Sequence, residues 1–465
     1  MKRLLAGLLV CAAPIPALAQ TQLNDGRGWA TVTDFPITGV QERSTNHLAL
    51  VEHQLQADSA VVQTGLYNRA ALLQYGNDKF ALVDQLGRYN RALIVHVASA
   101  VTDTQTTEVL QRGQADTVNY EFTFQTIIDD PDPIAQQFAR LSFEQAKTVA
   151  ENFIFAPEQS RLKAGVLEDI SWHFISVLEQ RLDQQRLLAA DAPFFATMSY
   201  AQMNRDASLG ALGYRQDLRS LTVGAEVPLT AKHRLGAALS VTDADANIDQ
   251  RLGTLDTTGY QFGVFGTFNH APWFVDVLAT VTKAELSSRR FSGATQVRSA
   301  SDGWGYGGRV QAGYRVERDP LAFSPLLSLS YTEGSVDAYT ERGSVLLAQH
   351  FDKQRRERLL GSIGALLDHQ GRLGEQLVQT YVKAELERDF GIGRSKEFSS
   401  RFAFSPDRPI LSPLDDVSED TYARFSAGIS TAASERLRFS FAGTARFGSE
   451  QPDHYGLHGQ MALSF

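Results

Sequence analysis

The feature that most constrains this chain is the alternation of apolar and polar residues along its C-terminal part, from about 194 to 465, where no long apolar run occurs. In a strand, residues two apart lie on the same face. The segment 381–387 therefore places Val382, Ala384 and Leu386 on an apolar face and Lys383 and Glu385 on a polar one. Repeated segments of this kind are typical of a transmembrane β-barrel with a polar lumen.

The alternation and the connections between segments predict a barrel of twelve strands. Short connections alternate with long ones, which is expected of periplasmic turns and outside loops. The segment 396–404 would make the count odd, so we place it in a folded outside loop. Long loops are predicted at 244–256, 287–300, 337–353 and 391–418, and strands at 194–205, 217–229, 233–243, 257–270, 272–286, 301–317, 321–336, 354–368, 377–390, 419–432, 435–448 and 453–465.

The N-terminus has the pattern of a secretory signal peptide. Lys2 and Arg3 precede an apolar run, and Ala17-Leu18-Ala19 offers a cleavage site, so we expect a signal peptide at 1–19. The single cysteine lies inside this segment, which leaves no thiolate for a disulfide, a metal site or a nucleophile in the exported chain. The net charge of −9 argues against nucleic-acid binding. No later window has the roughly 20 apolar residues of a membrane helix.

Between about 46 and 96 the sequence repeats every eleven residues, with a doubled period of 22 for the asparagines. Alternation within each unit predicts a strand, and each glycine falls where a turn requires conformational freedom. Such units stack into a β-solenoid, in which like residues lie about 4.8 Å apart and amide side chains exchange hydrogen bonds. The repeated columns contain Gln63, Gly65, Asn68 and Ala70, then Gln74, Gly76 and Ala81, then Gln85, Gly87, Asn90 and Ala92.

These units, Gln-x-Gly-x-x-Asn-x-Ala followed by another Gln-x-Gly, resemble the curlin repeats of bacterial curli fibre subunits. The resemblance covers about 50 residues and departs at Lys79, where the asparagine column breaks, and at His96, where the glutamine column ends. It implies stacking, self-association or fibre nucleation. The alternative is a short β-solenoid that serves only as a spacer.

A helical pattern precedes the predicted barrel. One helix is indicated from 134 to 153, and a second from Pro157 to the stop at Pro193. The second repeats an apolar residue every four positions and could pack on another helix or form a coiled coil. Its place directly before the barrel predicts instead a plug inside the pore. Its apolar residues are Leu162, Val166, Ile170, Phe174, Leu178 and Leu182.

An exported N-terminal segment, a long helix, twelve strands and a terminal aromatic together resemble the autotransporters, the type V secretion proteins. Segments such as 234–240, 260–266, 308–315 and 381–390 carry the likeness. The resemblance implies a passenger at 20–130 with repeats at 46–96, a linker and pore helix at 131–192, and a barrel at 193–465. It also implies a last strand that is read by the outer-membrane assembly machinery through Tyr455, Leu457, Met461, Leu463 and Phe465.

Some autotransporters cleave themselves at an asparagine in the pore helix. The segment from Glu158 to Ala190 contains no asparagine, so we expect the passenger to stay attached. The passenger also lacks Gly-x-Ser-x-Gly, and Asp129, Asp130 and Asp132 lie among prolines in the manner of a solvated turn, so we expect no catalytic site, metal or cofactor.

Two functions follow from these patterns. The first is an outer-membrane autotransporter that displays a short, non-enzymatic passenger at the cell surface for adhesion, self-association or fibre nucleation. The second is an outer-membrane transport barrel with an N-terminal periplasmic plug or docking segment. Expected partners are outer-membrane lipid, the assembly machinery and other fibre subunits, and no nucleic acid.

Overall fold

The computed structural model describes the backbone of the strands and the helix and of some connections. The described residues are 29–33, 38–42, 48–53, 58–64, 69–75, 79–86, 91–97, 105–111, 120–124, 143–188, 192–205, 213–230, 232–248, 253–292, 295–345, 347–374, 376–392, 397–403, 406, 410–413, 421–434, 436–448 and 453–463. The predicted signal peptide, the aspartates at 129–132 and Phe465 lie outside them. The chain divides into two units, Met1–Glu151 and Asn152–Phe465.

The N-terminal unit contains nine short strands in two parallel sheets. Odd-numbered strands form one sheet and even-numbered strands the other, so two consecutive strands make one coil of a β-solenoid. The strands are β1 (Trp29–Thr33), β2 (Thr38–Glu42), β3 (Leu48–His53), β4 (Asp58–Thr64), β5 (Arg69–Tyr75), β6 (Lys79–Leu86), β7 (Arg91–Val97), β8 (Gln105–Gln111) and β9 (Tyr120–Phe124).

Strands that pair in this solenoid are one coil apart, which is two repeat units. The 22-residue period therefore sets their register. The eleven-residue period relates a strand of one sheet to the next strand, which belongs to the other sheet. Ala70 pairs with Ala92 in one sheet, and Gln63 pairs with Gln85 in the other. The described strands also extend on both sides of 46–96, because β1, β2, β8 and β9 join the sheets, and of these four only β8 continues the glutamine column, with Gln111. The predicted residues Gly65, Asn68, Gly76, Gly87 and Asn90 lie outside the described residues.

One helix, α1 (Phe143–Leu188, 46 residues), replaces the two that the sequence predicted. It runs through Pro157, and good helix formers flank this residue on both sides, so local propensity favours continuation over a break. The helix therefore also includes Asn152, which precedes the segment from Glu158 to Ala190 that contains no asparagine. No helix in the described part of the chain is long and apolar enough to cross a membrane.

Twelve antiparallel strands close into a barrel, as predicted. They are β10 (Phe194–Arg205), β11 (Tyr214–Pro228), β12 (His233–Ile248), β13 (Gly253–His270), β14 (Trp273–Ser292), β15 (Thr295–Tyr314) continued by β16 (Val316–Arg318), β17 (Leu321–Val336), β20 (Gln354–Leu373), β21 (Gln376–Asp389), β24 (Thr421–Ala432), β25 (Leu437–Phe447) and β26 (Asp453–Leu463). The first strand, β10, pairs with the last, β26, and β15 pairs with β17, so the sheet has no free edge.

The barrel strands are longer than predicted at the end that carries the long connections. The predicted loops at 244–256 and 287–300 are wrong, because β12 and β13 pair as far as Ile248 and Gly253, and β14 and β15 as far as Ser292 and Thr295. Outward positions there are polar, for example Asp245, so the apolar alternation ends before the hydrogen-bonded ladder does.

The predicted folded outside loop is confirmed. Four short strands make a separate antiparallel sheet that belongs to the connections after β17 and β21: β18 (Tyr339–Thr340), β19 (Gln349–Phe351), β22 (Glu397–Phe402) and β23 (Ile410–Pro413).

A stripe of glycines on the inner face of β15 lets α1 approach the barrel wall. A Cβ atom on Gly305 would lie 2.3 Å from the Ser171 Oγ of α1. On the two neighbouring inward positions, added Cβ atoms would lie 2.8 Å from Leu167 Cδ2 and 2.6 Å from Ile175 Cδ1. Because these helix residues recur every four positions, one face of α1 lies along one glycine-lined strand.

We predict that Gly305→Val destabilises the folded barrel with its helix by about 1–3 kcal/mol, because the side chain enters space that α1 occupies. The folded band on unheated gels should then convert to the unfolded band at a temperature lower by roughly 5 °C. Gly308→Val is the matched control, because Gly308 is on the opposite side of β15 and a Cβ there would lie 3.5 Å from Leu278 O. Equal conversion temperatures for the two variants would contradict close packing of α1 on β15.

Candidate functional site

The barrel lumen is the candidate site, and it is lined by the polar residues that alternate with the lipid-facing ones. Leu221, Val382 and Leu386 are exposed on the outer surface, whereas Glu226 and Lys383 are buried inside, as predicted. Residues 159–186 of α1 fill the lumen, and at about 1.5 Å per residue this segment is about 41 Å long. It therefore exceeds the hydrocarbon core of about 30 Å.

The predicted apolar stripe of α1 is enclosed by the barrel. Val166, Ile170, Phe174, Leu178 and Leu182 are buried, and Leu162 is partly buried. Phe174, Leu178 and Leu182, in the C-terminal half of the stripe, pack with inward-facing residues of β10, β13 and β14. The helix also buries nearly all of its charged side chains between 159 and 186, so the stripe is one of several faces in contact with the wall.

Glu179 of α1 is the centre of a buried ion-pair cluster inside the lumen. Its carboxylate accepts a hydrogen bond from Lys383 Nζ at 2.5 Å and forms an ion pair with Arg309 Nη2 at 3.0 Å. Arg424 binds both Glu179 oxygens, at 2.9 Å each, in the two-pronged geometry that a guanidinium favours. Glu385 of β21 accepts from Arg309 at 2.9 Å and also pairs with Arg424. The Glu179 cluster thus joins α1 to three strands, β15, β21 and β24.

Asp183, one turn after Glu179, also belongs to this cluster. Lys383 Nζ lies 3.1 Å from the Asp183 carboxylate and 3.0 Å from Gln311 Oε1. Glu387 of β21 also lies 3.1 Å from Arg424 Nε. The carboxylates and cations that surround Glu179 are all buried: Asp183, Glu385, Glu387, Arg309, Lys383 and Arg424.

Ion pairs of three further helix residues hold the ends of the enclosed helix. Near its start, Glu168 pairs with Arg356 and Arg358 of β20 at 2.9 Å each. Near its end, Arg181 pairs with Glu226 of β11 at 2.5 Å, and its Nη2 donates to Ala192 O at 2.8 Å. Arg186 pairs with Asp276 of β14.

These ion pairs fix the rotation and depth of the helix. Each removes charges from water at a high cost, and the geometry must be good for attraction to offset that cost. Turning α1 by one residue, or sliding it by one turn, would separate Glu179 from its three cations and leave buried charges without partners. Removing one member of such a pair typically costs 3–5 kcal/mol.

The sequence indicates the helix and the lumen-facing charges but not their pairing. Glu168, Glu179 and Asp183 lie between the apolar positions of the helix, where an amphipathic pattern alone does not identify their partners. The signal that could have revealed them lies on the strands: Lys383 and Arg309 point into a lumen, and such cations require partners.

Three buried histidines were also missed. His173 of α1 has its Nε2 2.8 Å from Ser199 Oγ, and its ring stacks on that of His458 with centroids 5.7 Å apart. His454 lies on the same inner face of β26. The His173 Nδ1 has no hydrogen-bond partner, so no carboxylate orients this ring as a catalytic base requires, and we assign the pair no catalytic role. Over the described residues, no three His, Cys, Asp or Glu side chains are placed to share a metal ion.

The residues predicted as an assembly signal lie on the last strand. Tyr455, Leu457 and Met461 are exposed on the outer face of β26, with Leu463 at the end of the strand. Phe465 lies outside the described residues, and the role of these residues in assembly stays a prediction.

Comparisons with known proteins agree with this architecture. Residues 194–444, just over half of the chain, match the family model described as the autotransporter beta-domain. The translocator domain of the autotransporter NalP from Neisseria meningitidis is 15% identical and superposes with a TM-score of 0.50 over 64% of this chain and 99% of that chain. The β domain of the Bordetella autotransporter BrkA is 15% identical over 59% of this chain and 100% of that chain, with a TM-score of 0.44. A sequence search against curated proteins returned no match.

The family match spans all but the last strand of the barrel, and the likeness to the NalP translocator domain shows the same fold. Proteins with this domain reside in the outer membrane of Gram-negative bacteria. The chain therefore belongs to the autotransporter family, and its C-terminal barrel is an outer-membrane translocator.

Proposed function

We propose that the barrel carries the N-terminal β-solenoid to the cell surface and that the solenoid acts there as a non-enzymatic passenger in adhesion, self-association or fibre nucleation. The barrel works with outer-membrane lipid and the assembly machinery, and the solenoid with other copies or with fibre subunits. Neither part uses a cofactor or binds nucleic acid.

The observation that carries this proposal is the parallel, in-register stack of the passenger strands. Gln63, Gln85 and Gln111 occupy one column of the even-numbered sheet, since each pairs with the next. Ala49, Ala70 and Ala92 make a like column in the odd-numbered sheet. In such columns neighbouring amide groups can exchange hydrogen bonds along the stack, as in cross-β assemblies.

The ends of the stack favour association with further copies. β8 and β9 each pair with one neighbour among the described strands, so each presents one edge of backbone N–H and C=O groups. Such edges are templates for strands from another chain. A surface-displayed solenoid with open edges therefore suits self-association better than a role as a spacer.

The helix explains how a barrel that exports a passenger stays closed afterwards. We propose that α1 is the last exported segment and remains in the lumen, held by the Glu179 cluster. This closure also argues against the alternative of a transport barrel, because the helix occupies the path that a substrate would take.

We predict that Glu179→Gln unlocks the helix, because Lys383, Arg309 and Arg424 lose the carboxylate that they share on α1. A loss of about 3 kcal/mol raises the open fraction of the pore by on the order of 100-fold. Single-channel recording of purified protein in planar bilayers measures this. Glu317→Gln removes an exposed carboxylate that pairs with Arg315 at 2.9 Å and should stay closed like the native protein. A closed Glu179→Gln pore would show that the cluster does not hold the helix.

We expect protease added to intact cells to remove the residues before about 150 and to spare the barrel with its enclosed helix. Without protease, the mature band should have its full size, because the part of α1 inside the lumen, 159–186, contains no asparagine. Lysed cells provide the control for protease access to the periplasm. Full protection of the N-terminal unit in intact cells would instead support the periplasmic plug, and a barrel fragment beginning near residue 170 would disprove lasting attachment.

We predict that Gln85→Glu weakens self-association of the full-length protein by roughly fivefold, because the middle of the glutamine column loses an amide donor worth about 1 kcal/mol. Dye binding and seeding by purified protein give the measurement. Gln105→Glu is the matched control, since Gln105 pairs with Lys79 in the register and lies outside the glutamine column. If both variants associate like the native protein, the glutamine column does not support the stack.

A further inference from the structure

The lipid-facing wall has a groove at the junction of its first and last strands. It crosses six strands, from β12 through β11, β10, β26 and β25 to β24, and has a volume of about 1110 Å³. Five inter-strand spacings of about 4.8 Å give a length of about 24 Å. We call this surface the seam groove.

Small residues make the floor of the seam groove. Gly443 lies between Leu457 and Ala427 in one cross-strand row, and Gly459 lies beside Phe441 in the next. Large apolar side chains, among them Met198, Phe441 and Leu457, project around this floor and are exposed. The floor is therefore a depression in a wall that elsewhere presents bulky apolar residues.

A cation stands at one end of the groove. Arg219 is opposite Tyr200 on the outward face, and the Tyr200 hydroxyl donates to Asp217 at 2.6 Å. Asp217 also lies 3.6 Å from Arg215 Nε, and Asp243 accepts from Thr258 at 3.0 Å. Asp243 lies opposite Arg219 in the strand register, yet the guanidinium makes no ion pair with it or with any other described residue, so it can bind an anion from outside the chain.

The position of Arg219 matches the level of lipid headgroups. Exposed tyrosines mark the boundary between the apolar band of a barrel and the headgroups, and Tyr200 lies directly beside Arg219. From Arg219 one cross-strand row runs through Tyr200 and Leu457 to Gly443, so the apolar floor is continuous with the cation. An occupant that fits must therefore be apolar along the groove and anionic at the end where Arg219 lies.

We propose that the seam groove binds one lipid molecule, with an acyl chain along the small-residue floor and a headgroup phosphate on Arg219. A flexible chain can follow the narrow depression, and a guanidinium binds phosphate oxygens through charge-assisted hydrogen bonds. The phosphate at the boundary and the chain below it satisfy both parts of the groove at once. This inference rests on the outer-membrane barrel and is independent of what the passenger does.

The test is native mass spectrometry of the purified full-length protein in detergent, titrated with phosphatidylglycerol. The native protein should retain one lipid at concentrations where Gly443→Leu retains none, because the leucine fills the floor. A Cβ on Gly443 would lie 3.7 Å from Leu457 Cδ2, which is ordinary contact, so the variant should fold. Gly308→Leu on the outward face of β15 is the matched control and should bind like the native protein.

Arg219→Gln addresses the headgroup separately from the chain. It should weaken binding about fivefold, the upper range for an exposed charge pair, while leaving folding unchanged. Inorganic phosphate should not displace the lipid from the native protein, since the acyl chain contributes most of the binding.

Three results would overturn the proposal. Equal lipid retention by the native protein, Gly443→Leu and Gly308→Leu would show that the groove is not the binding site. Full displacement by inorganic phosphate, with no effect of Gly443→Leu, would reduce the site to an anion contact of Arg219. A dimer that Gly443→Leu dissociates would assign the groove to a second copy of the chain. Unheated gels, which separate folded from unfolded barrels, verify that each variant is folded.

Discussion

The pairing of β10 with β26 is the interaction on which the rest of this structure depends. Hydrocarbon offers no partner for a backbone N–H or C=O group, so a sheet that spans a membrane must close on itself. Closure through eleven register pairs, from Phe194 with Leu463 to Asn204 with Asp453, leaves the barrel without an edge. It also divides every strand into a lipid face and a lumen face, and the lumen face then carries buried polar side chains such as Glu226 and Lys383.

A lumen lined by charged side chains suits the passage of an extended chain. If it stayed empty, the same lumen would be an open pore through the membrane. The helix resolves this conflict by matching charge with charge. Glu179 and Asp183, one turn apart on α1, meet the cations of β15, β21 and β24, while Arg181 and Arg186 meet carboxylates of β11 and β14. The glycines of β15 remove the side chains that would otherwise hold the helix away from the wall. Close packing and ion pairing therefore act together, and each is specific to one depth of the helix.

Much of this fold could be predicted from the sequence because alternation is a local property. Val382 and Lys383 take opposite faces whatever the rest of the barrel does, and the number of strands follows from counting such segments. The partners of Glu179 could not be predicted in the same way. They depend on the rotation of α1 about its axis and on which strands lie around it, and neither quantity is encoded within a short window. The prediction of the strand ends was wrong for a simpler reason. Residues such as Asp245 remain in the hydrogen-bonded ladder after the apolar pattern has stopped.

The two units use β-structure in opposite ways, and this difference separates their functions. The closed barrel cannot add a strand, whereas β8 and β9 of the solenoid each have one neighbour among the described strands. If a second copy continued the same register, its β2 would follow β8 and its β1 would follow β9. Val40 would then continue the column of Val109, and Glu42 that of Gln111, while Gly39 and Val32 would meet the acidic positions Glu108 and Glu121. None of these junctions sets like charges opposite each other, so the columns can continue from one chain into the next. A head-to-tail contact of this kind closes into a ring only if the rotation between successive copies brings the last copy back to the first. A straight stack has no such rotation and therefore grows as a fibre.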